Sequence, residues 1–329
     1  MGISFVICCY NSSQRLPETL RHLAAQQVQG MEWEIVLVDN ASTDDTVSRA
    51  KELWAAYGYR CELRIVSEQR RGVNHARITG INAAAFELIV FCDDDNWLDP
   101  DYLQLAAEIM NDTSIGVCGA KGTAIFEKTE PVWFSQYKAV FACSEQADKE
   151  GVLDWNNIGL YSAGMVVRKS VISEVLGSGY ESIFEARNDN KLSGGEDFEM
   201  VVLIRALGYK AYYSPRLSFK HYMPESRMQW SYLTRLVKGM TINTAPAYVY
   251  SDTLRYLYTN DARYKVSWLK DTLKAVYGAF LIPLKHPRDF QIVWIKLTGA
   301  LRSVIAHRSQ YSLYEQKIKR LYDLKHKGV

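Results

Sequence analysis

Leu88-Ile89-Val90-Phe91-Cys92-Asp93-Asp94-Asp95-Asn96 is the stretch on which the fold of this chain turns. Five apolar residues in a row have the length of a buried strand bounded by a polar break. The run ends on three carboxylates. Like charges this close raise one another's pKa unless a cation or hydrogen-bond donors neutralise them. Carboxylates are hard oxygen ligands suited to Mg²⁺ or Mn²⁺, which commonly hold substrate phosphates as well. A polar turn capping the next helix is the competing reading. Asp and Asn are good N-caps, and Leu98-Asp99-Pro100-Asp101 reads as a helix start.

Outward from that stretch, the first 120 residues alternate between two periods. Strand-like runs fall at 3–9, 34–38, 62–66, 88–92 and 115–118. Leu16, Leu20 and Leu23 share one helical face. Val47, Ala50, Trp54 and Tyr57 make a second stripe behind the capping candidate Asp44, and a third helix is predicted over 74–85. Continuous apolar strands alternating with helices predict a parallel sheet covered on both faces. Ligands in such sheets bind beyond the carboxyl ends of the strands. Three polar segments stand there: Tyr10-Asn11-Ser12, Asp39-Asn40-Ala41-Ser42 and Asp93 to Asn96. No G-x-G-x-x-G follows the first strand, which disfavours a dinucleotide fold. No G-x-x-x-x-G-K-[ST] occurs, which excludes a P-loop ATPase.

Residues 121–222 are less regular. Trp133-Phe134, Asp154-Trp155-Asn156-Asn157 and Tyr161 are candidates either for a sugar-sized cleft or for ordinary core. Residues 164–167 read as a strand. Glu196 and Asp197 open a helix, where acids also simply favour the positive end of the dipole. Residues 211–213 and 217–221 read as strands, the second ending on His221, and 232–239 as a helix. Segments 266–284 and 290–307 combine a broad apolar face with Lys and Arg elsewhere. That pattern suits helices lying in a membrane interface and also suits a hairpin packed on protein. Residues 317–327 read as a basic, mobile end.

With 329 residues, 48% of them apolar, the chain is long enough for one large domain or two small ones. The net charge of +2 gives no global field that points to nucleic acid. From Arg263 onward fourteen Lys and Arg face four acids, a local +10 that leaves −8 for the rest. The six cysteines form no C-x-x-C pair and several lie in strand-like runs. They read as buried thiols of a reducing compartment, not a disulfide framework or zinc site. The apolar run at 3–9 is too short for a signal peptide, and no stretch approaches the roughly 20 apolar residues of a membrane span.

The pieces in order resemble the family 2 glycosyltransferases with a GT-A fold. The matching stretches are Val6-Ile7-Cys8-Cys9-Tyr10-Asn11, then Ile35-Val36-Leu37-Val38-Asp39-Asn40-Ala41-Ser42-Thr43-Asp44, then Gly72, Ala76-Arg77 and Gly80. They continue with Phe91 to Asn96, Gly195-Glu196-Asp197-Phe198-Glu199 with Arg205 and Gly208, and His221 followed by Arg227. Two departures stand out: no Pro lies near Cys8 or Cys9, and Ile78 stands where the family often has Asn. The resemblance implies an α/β fold, a Rossmann-like, mostly parallel sheet flanked by helices with a helical C-terminal extension. It implies a catalytic domain over 1–240, with a nucleotide-binding half (1–120) and an acceptor half (121–240). An amphipathic, basic helical region would occupy 241–329.

The activity so implied is inverting transfer of a sugar from a nucleoside-diphosphate sugar, most often a UDP-sugar, to an acceptor hydroxyl. Asp95 would be the direct ligand of Mn²⁺ or Mg²⁺ and His221 a second ligand. Asp93 would take the ribose hydroxyls or metal-bound water, and Asp94 would orient the loop at the nucleotide. Asp39 would accept a hydrogen bond from the base beside Tyr10 and Asn11. Arg77, and less strongly Arg71, would meet the diphosphate. Asp197 is the expected general base, with Glu196 its rival. The implied partners are a nucleotide-sugar donor and a glycan or lipid-linked acceptor of surface-polysaccharide synthesis. The implied place is the cytoplasm, peripheral on the inner face of the cytoplasmic membrane, and no nucleic acid is expected. A non-catalytic nucleotide-sugar-binding or scaffold protein is the alternative. A phosphatase of the haloacid dehalogenase type is disfavoured, because its Asp-x-Asp follows the first strand and here the acids follow the fourth.

Overall fold

The apolar runs form strands and the stripes between them form helices. A computed structural model describes residues 2–28, 30–184, 192–285 and 287–327. Its strands are β1 (Gly2–Cys9), β2 (Glu32–Asp39), β3 (Glu62–Ser67), β4 (Leu88–Phe91), β5 (Asn96–Leu98), β6 (Ile115–Phe126), β7 (Gly151–Val152), β8 (Val166–Arg168) and β9 (Lys210–Met223). They make one sheet in the order β3-β2-β1-β4-β8-β6-β9-β5, with β7 paired to β9. The first four strands to appear in the chain run parallel, whereas β8 is antiparallel to β4 and β6. The helices are α1 (Leu16–Ala24), α2 (Thr46–Ala56), α3 (Val73–Ala83), α4 (Tyr102–Ile109), α5 (Phe134–Tyr137), α6 (Lys169–Gly177) and α7 (Glu196–Ala206). They continue with α8 (Trp230–Met240), α9 (Thr244–Thr259), α10 (Trp268–Phe280), α11 (Asp289–His307) and α12 (Tyr311–His326).

Side chains alternate across a strand, so each central strand feeds two cores. Phe5, Ile7, Ile35 and Leu37 pack with Leu16, Leu20, Trp54 and Leu103 of α1, α2 and α4 on one face. Val6, Val36 and Phe91 pack on the other with Ala76 of α3, Val202 of α7, Val249 of α9 and Ile318 of α12.

Two expectations are corrected here, and one helix was missed. The segments 211–213 and 217–221 are one 14-residue strand, β9, which pairs with β6 through Tyr213 and again from Ser218 after a bulge at 214–217. The helix α9 was not legible in its mixed Tyr, Thr and Ser composition, yet Ala245, Val249 and Tyr250 are fully buried. Residues 317–327 are no mobile end. Ile318 and Leu321 of α12 are buried in the core, while its basic face is paired, Lys319 to Glu315 at 2.6 Å and Lys327 to Asp323 at 2.8 Å. The helix α10 is fastened to α9 by Lys270 and Lys274, each 2.6 Å from the buried Asp252. No helix among the described residues is long and apolar enough to cross a membrane.

Burial of α12 predicts that Ile318→Ala destabilises the protein by about 2–5 kcal/mol, whereas Lys319→Ala, at a half-buried surface position, changes it by less than about 0.5 kcal/mol. Equal urea midpoints for the two variants would return α12 to the status of a loose appendage.

Candidate active site

The β4–β5 turn carries the acidic quartet. Asn96 stands opposite His221 in the antiparallel β5–β9 register, and this pairing brings Asp95 beside a histidine 126 residues further along the chain. His221 Nε2 lies 3.3 Å from Asp95 Oδ1, and Arg227 Nη1 donates to Asp95 Oδ2 at 2.6 Å. Asp95 is 2% exposed. Burial opposes its charge, but Arg227 and His221 outweigh burial and hold its carboxyl well below the usual carboxylate range. Burial likewise opposes the imidazolium of His221, and Asp95 overcomes it, pushing that group up to about 10. His221 Nδ1 donates to the Phe141 carbonyl at 2.9 Å, which leaves Nε2 to face the carboxylate.

These donors fit a divalent cation. Two ligand atoms in neighbouring positions of an octahedral ion, with bonds of about 2.1 Å, lie about 3 Å apart, close to the observed 3.3 Å. The carbonyl contact at Nδ1 is the outer support that orients a metal-binding histidine. No group of three or more metal-ligating side chains occurs among the described residues. Further ligands would therefore come from water and substrate phosphate, as is usual for Mg²⁺.

Asp94 points elsewhere. Its carboxylate accepts from Ser12 Oγ and from Arg15 Nη2 at 2.6 Å, and its carbonyl accepts from Thr19 at 2.9 Å. It ties the acidic turn to the start of α1, which fits loop orientation and leaves no free oxygen for a nucleotide.

A cleft of about 220 Å³ is lined by Asp93, His221 and Arg227 together with Arg77, Glu196 and Asp197. Asp197 opens α7, behind Gly195, whose φ of +113° is one that L side chains rarely adopt. Its carboxylate accepts from the Phe198 amide at 2.8 Å and the Ser162 amide at 3.3 Å. Burial, then the neighbouring Glu196 charge, push Asp197 up to about 6, with Arg77 pulling the other way. Arg77 donates to Ser162 Oγ at 2.7 Å and lies 3.5 Å from Glu196 Oε1, while Glu196 Oε2 is buried without a hydrogen-bond partner among the described residues.

Tyr10, Asn11 and Asp39 do not line this cleft; they gather at the neighbouring ends of β1 and β2. Asn11, at φ +48°, accepts from the Thr43 amide at 2.8 Å, and Asp39 accepts from the Ser42 amide at 3.1 Å. Arg71 lies over the Tyr10 ring at 4.8 Å. The buried Asn40 holds this corner together, donating to the carbonyls of Glu68 and Arg70 and accepting from the Gly72 amide. Of the aromatic candidates, Tyr161 lines the cleft. Trp133 and Phe134 are core, and Trp155 stacks on Tyr258 at 4.3 Å beneath Arg205. Sequence reasoning gave no role to Arg15, Ser12, Asn40 or Ser162. No spacing rule joins Ser12 to Asp94; only the adjacency of β1 and β4 does.

Residues 4–176 match the description of glycosyl transferase family 2, more than half of the chain, which therefore belongs to that family. A dodecaprenyl-phosphate galacturonate synthase of Rhizobium johnstonii is 30% identical over 143 residues, 42% of this chain and 42% of that protein. The poly(ribitol-phosphate) β-N-acetylglucosaminyltransferase TarS of Staphylococcus aureus is 28% identical over 116 residues, 34% of this chain and 19% of that protein. The match thus spans less than half of either relative. Among solved structures, TarS residues 1–349 superimposes with a TM-score of 0.53 at 15% identity, over 98% of this chain and 89% of that one. The mannosyltransferase PcManGT of Pyrobaculum calidifontis, in complex with GDP-Man and Mn²⁺, gives 0.52 at 18% identity, over 97% and 84%. These likenesses show a shared GT-A fold.

Removing the Glu196 charge should lower the proton affinity of Asp197. In Glu196→Gln the Asp197 carboxyl, followed by ¹³C NMR, is expected to titrate below its value in the parent; an unchanged midpoint would leave burial as the sole cause.

Proposed function

We propose that this chain is an inverting glycosyltransferase that moves a sugar from a UDP-sugar to a hydroxyl of a lipid-linked glycan. The observation that carries this reading is the convergence of Asp197, Glu196 and Arg77 with Asp93, His221 and Arg227 around one cleft. The solved relatives add support for the donor class, one being in complex with UDP-GlcNAc and another with GDP-Man and Mn²⁺.

Asp197 takes the proton of the acceptor hydroxyl as that oxygen bonds to the anomeric carbon. The diphosphate leaves from the opposite face, so configuration inverts and no covalent enzyme intermediate forms. Glu196 Oε2 accepts a hydrogen bond from a hydroxyl of the donor sugar, which gives its buried, unpartnered oxygen a ligand. Arg77 and Arg227 direct fixed positive charge at the diphosphate. Asp95 and His221 would hold Mn²⁺ or Mg²⁺, the imidazole favouring Mn²⁺, and such a cation supplies Lewis-acid neutralisation of the charge growing on the leaving group. Asp93 holds the ribose end, and Asp39, Tyr10 and Asn11 form the base subsite. Residues 1–240 carry this chemistry and 241–329 bring the enzyme to its acceptor.

That second role is drawn from the surface of α10 and α11. Leu273, Tyr277, Phe280, Phe290 and Trp294 are all more than 60% exposed, an apolar row beside basic side chains of the kind that settles into a lipid interface. The enzyme would thus work on the inner face of the cytoplasmic membrane.

The decisive test is Asp197→Asn. Transfer is expected to fall by roughly 10² to 10⁴-fold while UDP still stabilises the protein in a thermal-shift assay. Retained turnover in this variant with loss in Glu196→Gln would exchange the two roles. Nucleotide binding with no metal-stimulated sugar release by the parent would leave only a non-catalytic binding protein. Since protonated Asp197 accepts no proton, kcat/KM should drop about tenfold per pH unit below about 6.

Membrane contact is tested at the surface, because truncation within α9 would strip Ile318 and Leu321 from the core. The pair Phe280→Ser and Trp294→Ser should abolish cosedimentation with anionic vesicles at unchanged thermal stability. A parent protein that ignores such vesicles would remove this part of the reading.

A further inference from the structure

A second, larger groove of about 950 Å³ runs between α8 and α11. Arg235 and Lys238 of α8 face it, one helical turn apart, and Arg302 and His307 line it from α11. No Asp or Glu among the described residues lines it. Several cations elsewhere are met by carboxylates: Arg15 sits on Asp94, Arg227 on Asp95, Lys270 and Lys274 on Asp252. Arg235 instead lies over the Tyr232 ring at 5.7 Å. Like charges held together without carboxylates focus a positive field on the groove and raise the local concentration of anions. The groove is fixed in shape: a Cβ on Gly299 would come within 2.1 Å of Thr241 Oγ1, so α11 and the end of α8 touch along its floor.

Two connections say what the anion belongs to. Tyr232 borders both this groove and the catalytic cleft, so the two are neighbours with that one side chain between them. At that same end, where Trp230 of α8 donates to Gln291 of α11, Ile295 of the groove directly follows the exposed Trp294, where the apolar row begins. Along α11, Trp294 and Arg302 are separated by roughly 12 Å of helix, a span suited to the junction of a hydrocarbon chain with its polar group.

We propose that this groove binds the diphosphate of a lipid-borne acceptor, with the hydrocarbon on the apolar row and the sugar hydroxyl directed past Tyr232 to Asp197. The assignment rests on the transferase reading for its acceptor. The phosphates here are a handle and are not consumed. Guanidinium groups suit them because they bind phosphate oxygens in pairs.

The test measures equilibrium binding of three probes to the full chain in metal-free buffer. They are farnesyl diphosphate, which joins both features, farnesol, which lacks the charge, and inorganic pyrophosphate, which lacks the lipid. Farnesyl diphosphate should bind at least about tenfold tighter than either partial probe. The pair Arg235→Gln and Arg302→Gln should weaken it by at least about tenfold, while the pair Lys51→Gln and Arg60→Gln, an equal charge change on exposed side chains elsewhere, leaves it unchanged. Thermal stabilisation by UDP with Mn²⁺ should be the same in all three proteins. Equal affinity in the groove variant, pyrophosphate binding as tight as farnesyl diphosphate, or no binding by the parent would each overturn the assignment. Loss of nucleotide stabilisation in the parent would count against the transferase reading instead, leaving the groove result to stand separately.

Discussion

A carboxylate withdrawn from water keeps its charge only where cations meet it, and Asp95 is that carboxylate. Its two oxygens are shared between His221 and Arg227, which arrive together on β9 and the turn beyond it. This one electrostatic requirement joins the early, parallel half of the sheet to its late, antiparallel edge. It also sets where the cleft can form, because the same strand delivers His221 and the same turn delivers Asp93.

The chain uses its three adjacent acids in three ways. Asp94 is spent on architecture, pinned by Arg15 and Ser12. Asp95 is neutralised by protein cations, His221 and Arg227. Asp93 is left at the cleft. Raising the charge density of one turn in this way is tolerable only because each carboxylate faces a different element. Asp197 and Glu196 repeat the arrangement on a smaller scale. Arg77 lies against one of them, and the other is pushed up to about 6 by burial and then by its neighbour.

Much of this was legible in the order of residues. Strands β1, β2 and β4 announce themselves as mainly apolar runs, because both faces are covered, whereas β3 at the sheet's edge carries Arg64 and is only half-buried; the polar breaks after these strands mark the carboxyl edge. Asp95 and His221 were named before their adjacency was visible, by resemblance. What residue order hid is contact that only topology creates. Ser12 meets Asp94 because β1 and β4 are neighbours. Arg227 lay in a matched motif but its partner did not follow from spacing. The C-terminal region misled for another reason: in α12 three of every four residues are polar or aromatic, and the narrow stripe of Tyr314, Ile318 and Leu321 is lost among lysines. Trp155 was left open by sequence between a sugar-sized cleft and ordinary core, and the structure stacks it against Tyr258.

The core that takes in Val6 and Val36 also takes in Ile318 and Leu321. A chain emerging from the ribosome therefore lacks part of the cover for one face of its earliest strands until Ile318 and Leu321 have been made. Long-range closure of this kind slows folding and leaves apolar surface open to aggregation meanwhile. That face of the sheet thus stays partly open well after its first four strands have been made.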